Sequence, residues 1–325
     1  FDGNSFFINS QGSVIARAAQ FSEDITYIDI NSKDVQTAQT LTSTEADSLG
    51  EIWSALVLGL RDYVQKNGFK SVVLGLSGGI DSAVCASIAA DALGADRVYG
   101  VSMPSRYSSE HSRSDADDSA ERIGLHFRTE PIESMVNAFE SQLGLQGVAA
   151  ENLQARMRGV ILMGLSNAEG HLTLTTGNKT ELAVGYSTIY GDSVGGFAPI
   201  KDVEKTLVWE LAKWRNEFAS SKGLTPPIPE NSISKPPSAE LRPDQTDQDS
   251  LPEYDLLDAL LDNYVEKRLG RDQIIELGFD AATVDRIIGL VDRAEWKRRQ
   301  GAIGPKITGM AFGRDRRLPI TNRSR

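Results

Sequence analysis

The segment Ser77-Gly78-Gly79-Ile80-Asp81-Ser82 lies between Val72-Val73-Leu74-Gly75-Leu76, an apolar run patterned like a buried strand, and an alanine-rich helical pattern from Ala83 to Leu93. Adjacent glycines let the backbone turn sharply without Cβ clashes. Successive N–H groups can then converge on phosphate oxygens while the following helix turns its positive dipole end towards them. The Ser77 and Ser82 hydroxyls add donors, and Asp81 offers a carboxylate to a magnesium ion. The expected chemistry is pyrophosphate binding. The Walker pattern, with four residues between its glycines and then Lys-Ser or Lys-Thr, is absent. An ordinary glycine-rich strand-to-helix turn is the bland alternative.

A second junction of this kind is Thr175-Thr176-Gly177-Asn178-Lys179-Thr180-Glu181. The spacing predicts a strand ending near residue 176 and a helix beginning near 180, and open parallel sheets bind ligands at such strand ends. Thr176 can donate to phosphate or ribose, Lys179 can neutralise phosphate, and Glu181 can hold magnesium or a polar substrate group. Capping of the helix would account equally for Thr176 and Glu181. Asn152 and Arg156 stand four apart in a helical pattern, so they share a face that could grip one polar ligand, with Arg158 pointing elsewhere. An ordinary solvated face explains them as well. Lys205, Lys235, Ser238 and Lys297 carry no signal as single residues, and Tyr186 to Gly196 reads as a small polar loop folding over a substrate.

These segments need elements to position them. Helical periodicity runs from Leu49 to Asn67, and strand-like runs at 71–76, 97–102, 126–130 and 171–176 alternate with helical patterns at 81–93, 110–124, 132–143 and 151–168. That alternation predicts an α/β fold: an open, doubly wound parallel sheet, with further helices over 254–300. The first forty residues differ, with strand patterns at Ser5 to Asn9 and Ile25 to Ile30 around a Gln11-Gly12 turn, and residues 31–48 read as a linker. Residues 225–252, with seven prolines and little periodicity, read as a long functional loop. With 40% apolar residues and no 18-residue apolar run, the 325-residue chain is expected to be globular and to span no membrane. Its net charge of −11 offers no general attraction for nucleic acid. The single cysteine, Cys85, falls on an apolar helix pattern and reads as a core thiol, and with no leader-like start a cytoplasmic setting is expected.

The Ser-Gly-Gly-x-Asp-Ser loop resembles that of the ATP pyrophosphatase superfamily, in which pyrophosphate leaves and AMP is transferred. Ser77 to Ser82, Asn152 to Arg158, Thr176 to Glu181, Tyr190-Gly191-Asp192, Ser234 to Leu241 and Glu295-Trp296-Lys297-Arg298-Arg299 occur in an order similar to that of NAD synthetases, over about residues 49–325. Lys235-Pro236-Pro237-Ser238-Ala239-Glu240-Leu241-Arg242-Pro243 and Asp315 to Asn322 look most like the glutamine-dependent subgroup. This resemblance implies a Rossmann-like sheet of the adenine nucleotide alpha-hydrolase type. It also implies a reaction in which the carboxylate of deamido-NAD attacks the α-phosphate of ATP. Pyrophosphate leaves, and ammonia then converts the NAD-adenylate to NAD and AMP. Carried over by position, Gly75, Leu76, Ser77, Gly78, Gly79, Ile80, Asp81, Ser82, Thr176, Lys205 and Ser238 bind ATP. Asn152, Arg156, Glu181 and Lys297 bind deamido-NAD, Asp81 and Glu181 hold Mg2+, and Asp81, Lys179 and Glu181 serve catalysis.

Glutamine-dependent members carry an N-terminal nitrilase-like glutaminase domain with a Glu, Lys and Cys catalytic set, and residues 1–30 resemble only its final strands. The expectation is a C-terminal fragment with a glutaminase remnant at 1–30, a linker at 31–48 and a synthetase domain at 49–325. Nitrogen would come from ammonia, supplied from glutamine by a separate glutaminase chain, and the resemblance implies homo-oligomers from dimers up to octamers of full-length subunits. Two other readings stay open: an AMP-forming amidotransferase with a different acceptor, and a nucleotide-binding regulatory subunit without turnover.

Overall fold

The computed structural model describes residues 2–29 and 48–321. At its centre is a four-stranded sheet of β3 (Val72–Gly75), β4 (Val98–Ser102), β5 (His126–Thr129) and β6 (Leu172–Leu174). The spatial order is β5-β4-β3-β6 and every neighbouring pair is parallel. The chain moves outward from β3 to β5 and then crosses to the other side of β3, so the order reverses between β3 and β6. A crevice opens at the carboxyl ends of the strands where such a reversal occurs.

Strand alternation divides the core into two layers. Val72 and Leu74 pack with α1 (Ser48–Lys66), α2 (Ile80–Leu93), α3 (Glu110–Ile123) and α7 (Lys205–Ser221). Val73 and Val101 face the other way, onto α4 (Glu133–Leu143) and α5 (Val148–Glu169). In α1, Trp53, Leu56, Leu60 and Val64 recur at helical spacing and are buried. The helix α2 is buried almost all round, which its alanines permit, and Cys85 is one of its core residues, as expected. A third apolar cluster joins α6 (Lys179–Val184), α9 (Tyr254–Leu261), α10 (Arg271–Glu276) and α11 (Ala281–Arg293) to Met310 and Phe312, with α12 (Glu295–Arg298) following. Among the described residues no helix is long and apolar enough to cross a membrane.

The alternating strands and helices expected from periodicity are present with ends shifted by a few residues. Three segments differ. At the N-terminus β1 (Phe6–Ile8) pairs antiparallel with β2 (Val14–Arg17), not with residues 25–29. The Asn9 side chain accepts from Gln11 and Ser13 N–H, closing a tight turn that presents the very next segment as partner. Residues 25–29 have no regular structure, while Ile30 and linker residues 31–47 lie outside the described residues. The 17-residue α7 went unrecognised because charged residues interrupt its buried Val208, Leu211 and Ala212 face. The proline-rich 225–252 stretch includes one short helix, α8 (Glu230–Ser234), and otherwise runs as an irregular strap.

Glu204 precedes α7 without capping it. Burial raises its pKa to about 7, Asp258 adds repulsion, and Lys179 offsets part of this. The carboxyl of the unfolded chain ionises near pH 4.5 while that of the folded chain keeps its proton, so unfolding free energy falls as pH rises from about 4.5 to 7 and stays lower above that. After a discount for partial exposure, Glu204→Gln is expected to stabilise by about 1–2 kcal/mol at pH 8 and by almost nothing at pH 4. Urea unfolding at the two pH values checks this.

Candidate active site

A cavity of about 640 Å³ opens at the carboxyl ends of β3, β4 and β6, where the strand order reverses. The 77–82 loop forms its floor. Gly78 has φ +78°, and a Cβ there would stand 2.3 Å from the Ser112 carbonyl oxygen, so only glycine fits. The Gly78 carbonyl accepts from the Ser232 hydroxyl at 2.9 Å. Ser82 Oγ donates to Gly79 O at 2.9 Å and accepts from Ser77 N–H at 3.2 Å, so the two serines brace the turn. No side chain caps α2 at Gly79, which leaves the positive end of a 14-residue helix facing the cavity.

Three charged groups meet above this loop. Lys205, 1% exposed at the start of α7, donates through Nζ to Asp81 Oδ2 and lies 3.5 Å from Glu181 Oε1. Burial alone would lower the Lys205 pKa, but Asp81 and Glu181 outweigh it and hold the group raised, so it is a cation. Burial pushes the Glu181 pKa up; Lys205 opposes this, and Asp81 and Asp247 add to it. Asn178 fixes both carboxylates: its Nδ2 donates to Asp81 Oδ1 at 3.0 Å, and it forms a reciprocal capping box with Glu181 at the start of α6. The pair is therefore held before any ligand arrives.

Among the described residues no group of three His, Cys, Asp or Glu could hold a metal ion. Two carboxylates with a cation already between them nevertheless suit magnesium, which commonly takes one or two protein carboxylates and completes its shell with water and substrate phosphate.

The other candidate residues are distributed unevenly. Gly75, Leu76, Ser77, Gly79, Ile80, Asp81, Ser82, Thr176, Lys205 and Ser238 line the cavity, together with Asn152, Glu181 and Lys297. Asn152 Oδ1 accepts from the Thr188 hydroxyl at 2.7 Å, tying α5 to the 186–196 loop. Lys297 Nζ donates to the carbonyls of Gly185 and Ser187 at 2.8 and 2.7 Å, and Ser238 Oγ to that of Gln245. Gly78, turned against Ser112, is not part of the lining, and two further residues stand apart. Arg156 is exposed, with Nε 3.3 Å from the Ile189 carbonyl, and does not line the cavity. Lys179 points away into a buried network with Glu266 at 2.5 Å, Thr308 at 2.6 Å and Asp202 at 3.2 Å. Lys179→Met would leave Asp202 and Glu266 without their cation. It is expected to cost about 3–5 kcal/mol in urea unfolding, with activity lost mainly through loss of folded protein.

Residues that single-position reasoning missed include Arg158, Asp247 and Glu240. On α5 the cavity face runs Asn152, Ala155, Arg158, Gly159 and Leu162, a stripe at helical spacing that the four-residue link from Asn152 to Arg156 does not follow. Gly159 belongs to it because a Cβ there would meet the Tyr190 carbonyl at 2.9 Å. Asp247 accepts from the Tyr254 hydroxyl at 2.7 Å and the Tyr186 hydroxyl at 3.2 Å, and Glu240 accepts from the Ser109 and Ser112 hydroxyls at 2.9 and 2.6 Å. Asp247 and Glu240 lie on the strap, where no periodicity marks them.

Known proteins share this arrangement. Residues 52–301 match a family described as NAD synthase. A glutamine-dependent NAD(+) synthetase of Acinetobacter baylyi is 52% identical over 328 residues, covering 99% of this chain and 60% of that protein. One from Rhodobacter capsulatus is 49% identical and is 61% covered. The chain thus spans about 60% of the length of these curated relatives. Among solved structures, the glutamine-dependent NAD+ synthetase of Acinetobacter baumannii in complex with ADP superposes with a TM-score of 0.68 at 47% identity, covering 99% of this chain and 59% of that one. The NMN synthetase of Francisella tularensis gives 0.66 at 29% identity, with 78% and 96% covered. A pyrophosphate-type loop at the switch point of a parallel sheet, a carboxylate pair bridged by lysine, and a match over residues 52–301 lead to one conclusion: the chain belongs to the NAD synthase family.

Proposed function

We propose that the chain is an ATP-dependent amide ligase that converts deamido-NAD to NAD through an NAD-adenylate, releasing pyrophosphate and AMP. The observation that carries this reading is the Asp81, Lys205 and Glu181 cluster above a loop whose Gly78 tolerates no side chain. The chemistry asks little acid or base of the protein. A carboxylate must be brought onto the α-phosphorus of a polyanion, so the main tasks are positioning two anions and offsetting their repulsion. The loop N–H groups and the α2 terminus take the β- and γ-phosphates, and Lys205 neutralises charge that builds on the departing pyrophosphate. Thr176 and Ser238 contact the nucleotide, while Asn152, Glu181 and Lys297 hold the dinucleotide. Magnesium, held by Asp81 and Glu181, supplies further neutralisation of phosphate oxygens when bound.

Nitrogen enters as ammonia, an unprotonated nucleophile, so no general base is required. Relatives that the chain covers to about 60% are named glutamine-dependent, which supports glutamine as the ultimate source of that ammonia. The exposed Phe6, Phe7 and Ile8 of β1 support a partner for the N-terminal hairpin. Assembly into at least a homodimer belongs to the same proposal.

Exchange of labelled pyrophosphate into ATP tests the first step without ammonia. Exchange that requires deamido-NAD supports the reading. Exchange driven equally by the deaminated mononucleotide would move the substrate towards that of an NMN synthetase, and exchange with neither would sink it.

A further inference from the structure

Arg158 is a charged group of the cavity to which the ligase reading gives no task. It rises from the cavity face of α5, one turn from Leu162 and beside Gly159. Its Nε donates to the Met103 carbonyl at 3.0 Å, just beyond the carboxyl end of β4, which fixes the plane of the guanidinium. Its two Nη atoms have no hydrogen-bond or ion-pair partner among the described residues, and the residue lines the cavity. The neighbouring carboxylates are engaged elsewhere: Asp192 accepts the Thr188 N–H at 2.7 Å, and Glu240 is held by Ser109 and Ser112. Other cations on the wall are engaged, Arg113 through a hydrogen bond from Nη2 to the Ser105 carbonyl at 3.3 Å. Lys205 is bound to Asp81, Lys235 to Asp115 and Arg242 to Asp249, and Lys297 is used on two carbonyls.

We propose that Arg158 is the ligand of a phosphate oxyanion in this cavity, gripping two of its oxygens through its free Nη atoms. An immobilised planar fork, with no protein carboxylate to satisfy it, has the geometry that bidentate phosphate recognition uses and a lysine cannot reproduce. Burial pulls the Arg158 pKa down to about 10, and Glu240 and Asp192 draw it back, so the group remains protonated at neutral pH. It stands on the α5 wall, whereas Lys205 belongs to the α7 side, so the two cations are placed for different parts of the bound anions. The inference rests on the ligase reading for the identity of those anions: the nucleotide phosphates or the pyrophosphate bridge of the dinucleotide.

Titration calorimetry of the full chain, Arg158→Gln and Arg158→Lys, with ADP and separately with deamido-NAD at two salt concentrations, tests it. The glutamine variant should lose roughly tenfold or more in affinity for one ligand, with the lysine variant between it and the parent. Loss for ADP assigns the nucleotide phosphates, and loss for deamido-NAD alone assigns the dinucleotide. The salt dependence of that binding should also weaken. If a variant merely disturbed the Met103 anchor, its thermal midpoint would fall while salt dependence stayed unchanged, and this outcome overturns the proposal. So do affinities within about twofold of the parent for both ligands, well inside the effect of one charged hydrogen bond. Should Arg158→Gln not fold, Arg158→Lys, which keeps the charge and loses the fork, carries the test through its affinities alone, at an unchanged thermal midpoint. A parent chain that binds neither ligand overturns the functional reading itself, and this inference with it.

Discussion

Lys205→Met is expected to reduce NAD formation per folded molecule by roughly 100- to 1,000-fold, the range for removing one preorganised charge from a transition state. The side chain is 1% exposed, and its alkyl stem lies close to Trp209 and Tyr254, with Nζ 5.6 and 5.4 Å from their ring centroids. Methionine fills that volume but removes the charge between Asp81 and Glu181. Without that cation Asp81 repels the phosphates it should help to hold, and Glu181, already raised by burial, is pushed further towards its neutral form, so the loss should appear in both kcat and KM for ATP. Circular dichroism with steady-state kinetics separates this from misfolding. A fall of less than about fivefold, well below one preorganised charge, would remove Lys205 from the chemistry.

Gly78→Ala should be comparably damaging for a different reason. The new methyl group would lie 2.3 Å from the Ser112 carbonyl oxygen and 3.0 Å from the Asp115 Cβ, at a residue with φ +78°. The left-handed conformation alone costs an alanine about 1–2 kcal/mol, and crowding against α3 backbone adds about 1–3 kcal/mol. The loop relieves both by moving away from α3, which scatters the N–H groups meant to converge on phosphate. Expected are a destabilisation of about 2–5 kcal/mol in urea and no measurable ADP binding in the folded fraction. Retained ADP affinity would show that the loop does not act through its backbone.

The fold was legible because its signals are local. A buried parallel strand must be apolar on both faces, so Val72-Val73-Leu74 and its counterparts announce themselves, and the helices between them carry their own periodicity. The hairpin partner of β1 was misplaced because a turn set by the Asn9 side chain outweighed a longer, more strand-like run downstream. The site was legible where it sits at strand-to-helix junctions, as in 77–82 and 176–181. It was illegible as single residues where the chemistry depends on long-range pairing. Lys205 lies 124 residues from Asp81 and 24 from Glu181, and only the family resemblance set it apart from other lysines. Lys179 shows the reverse, since its motif suggested a phosphate ligand and its side chain turns instead towards Glu266, 87 residues away. Arg158 was passed over because helical spacing was counted from Asn152 in steps of four, whereas the cavity stripe also uses steps of three.

The most direct test of the central claim is to incubate this chain with ATP, magnesium, deamido-NAD and ammonium, and to quantify AMP and NAD together. The account predicts equal amounts of both with ammonium. AMP without NAD, or neither product from folded protein that binds ADP, would contradict it.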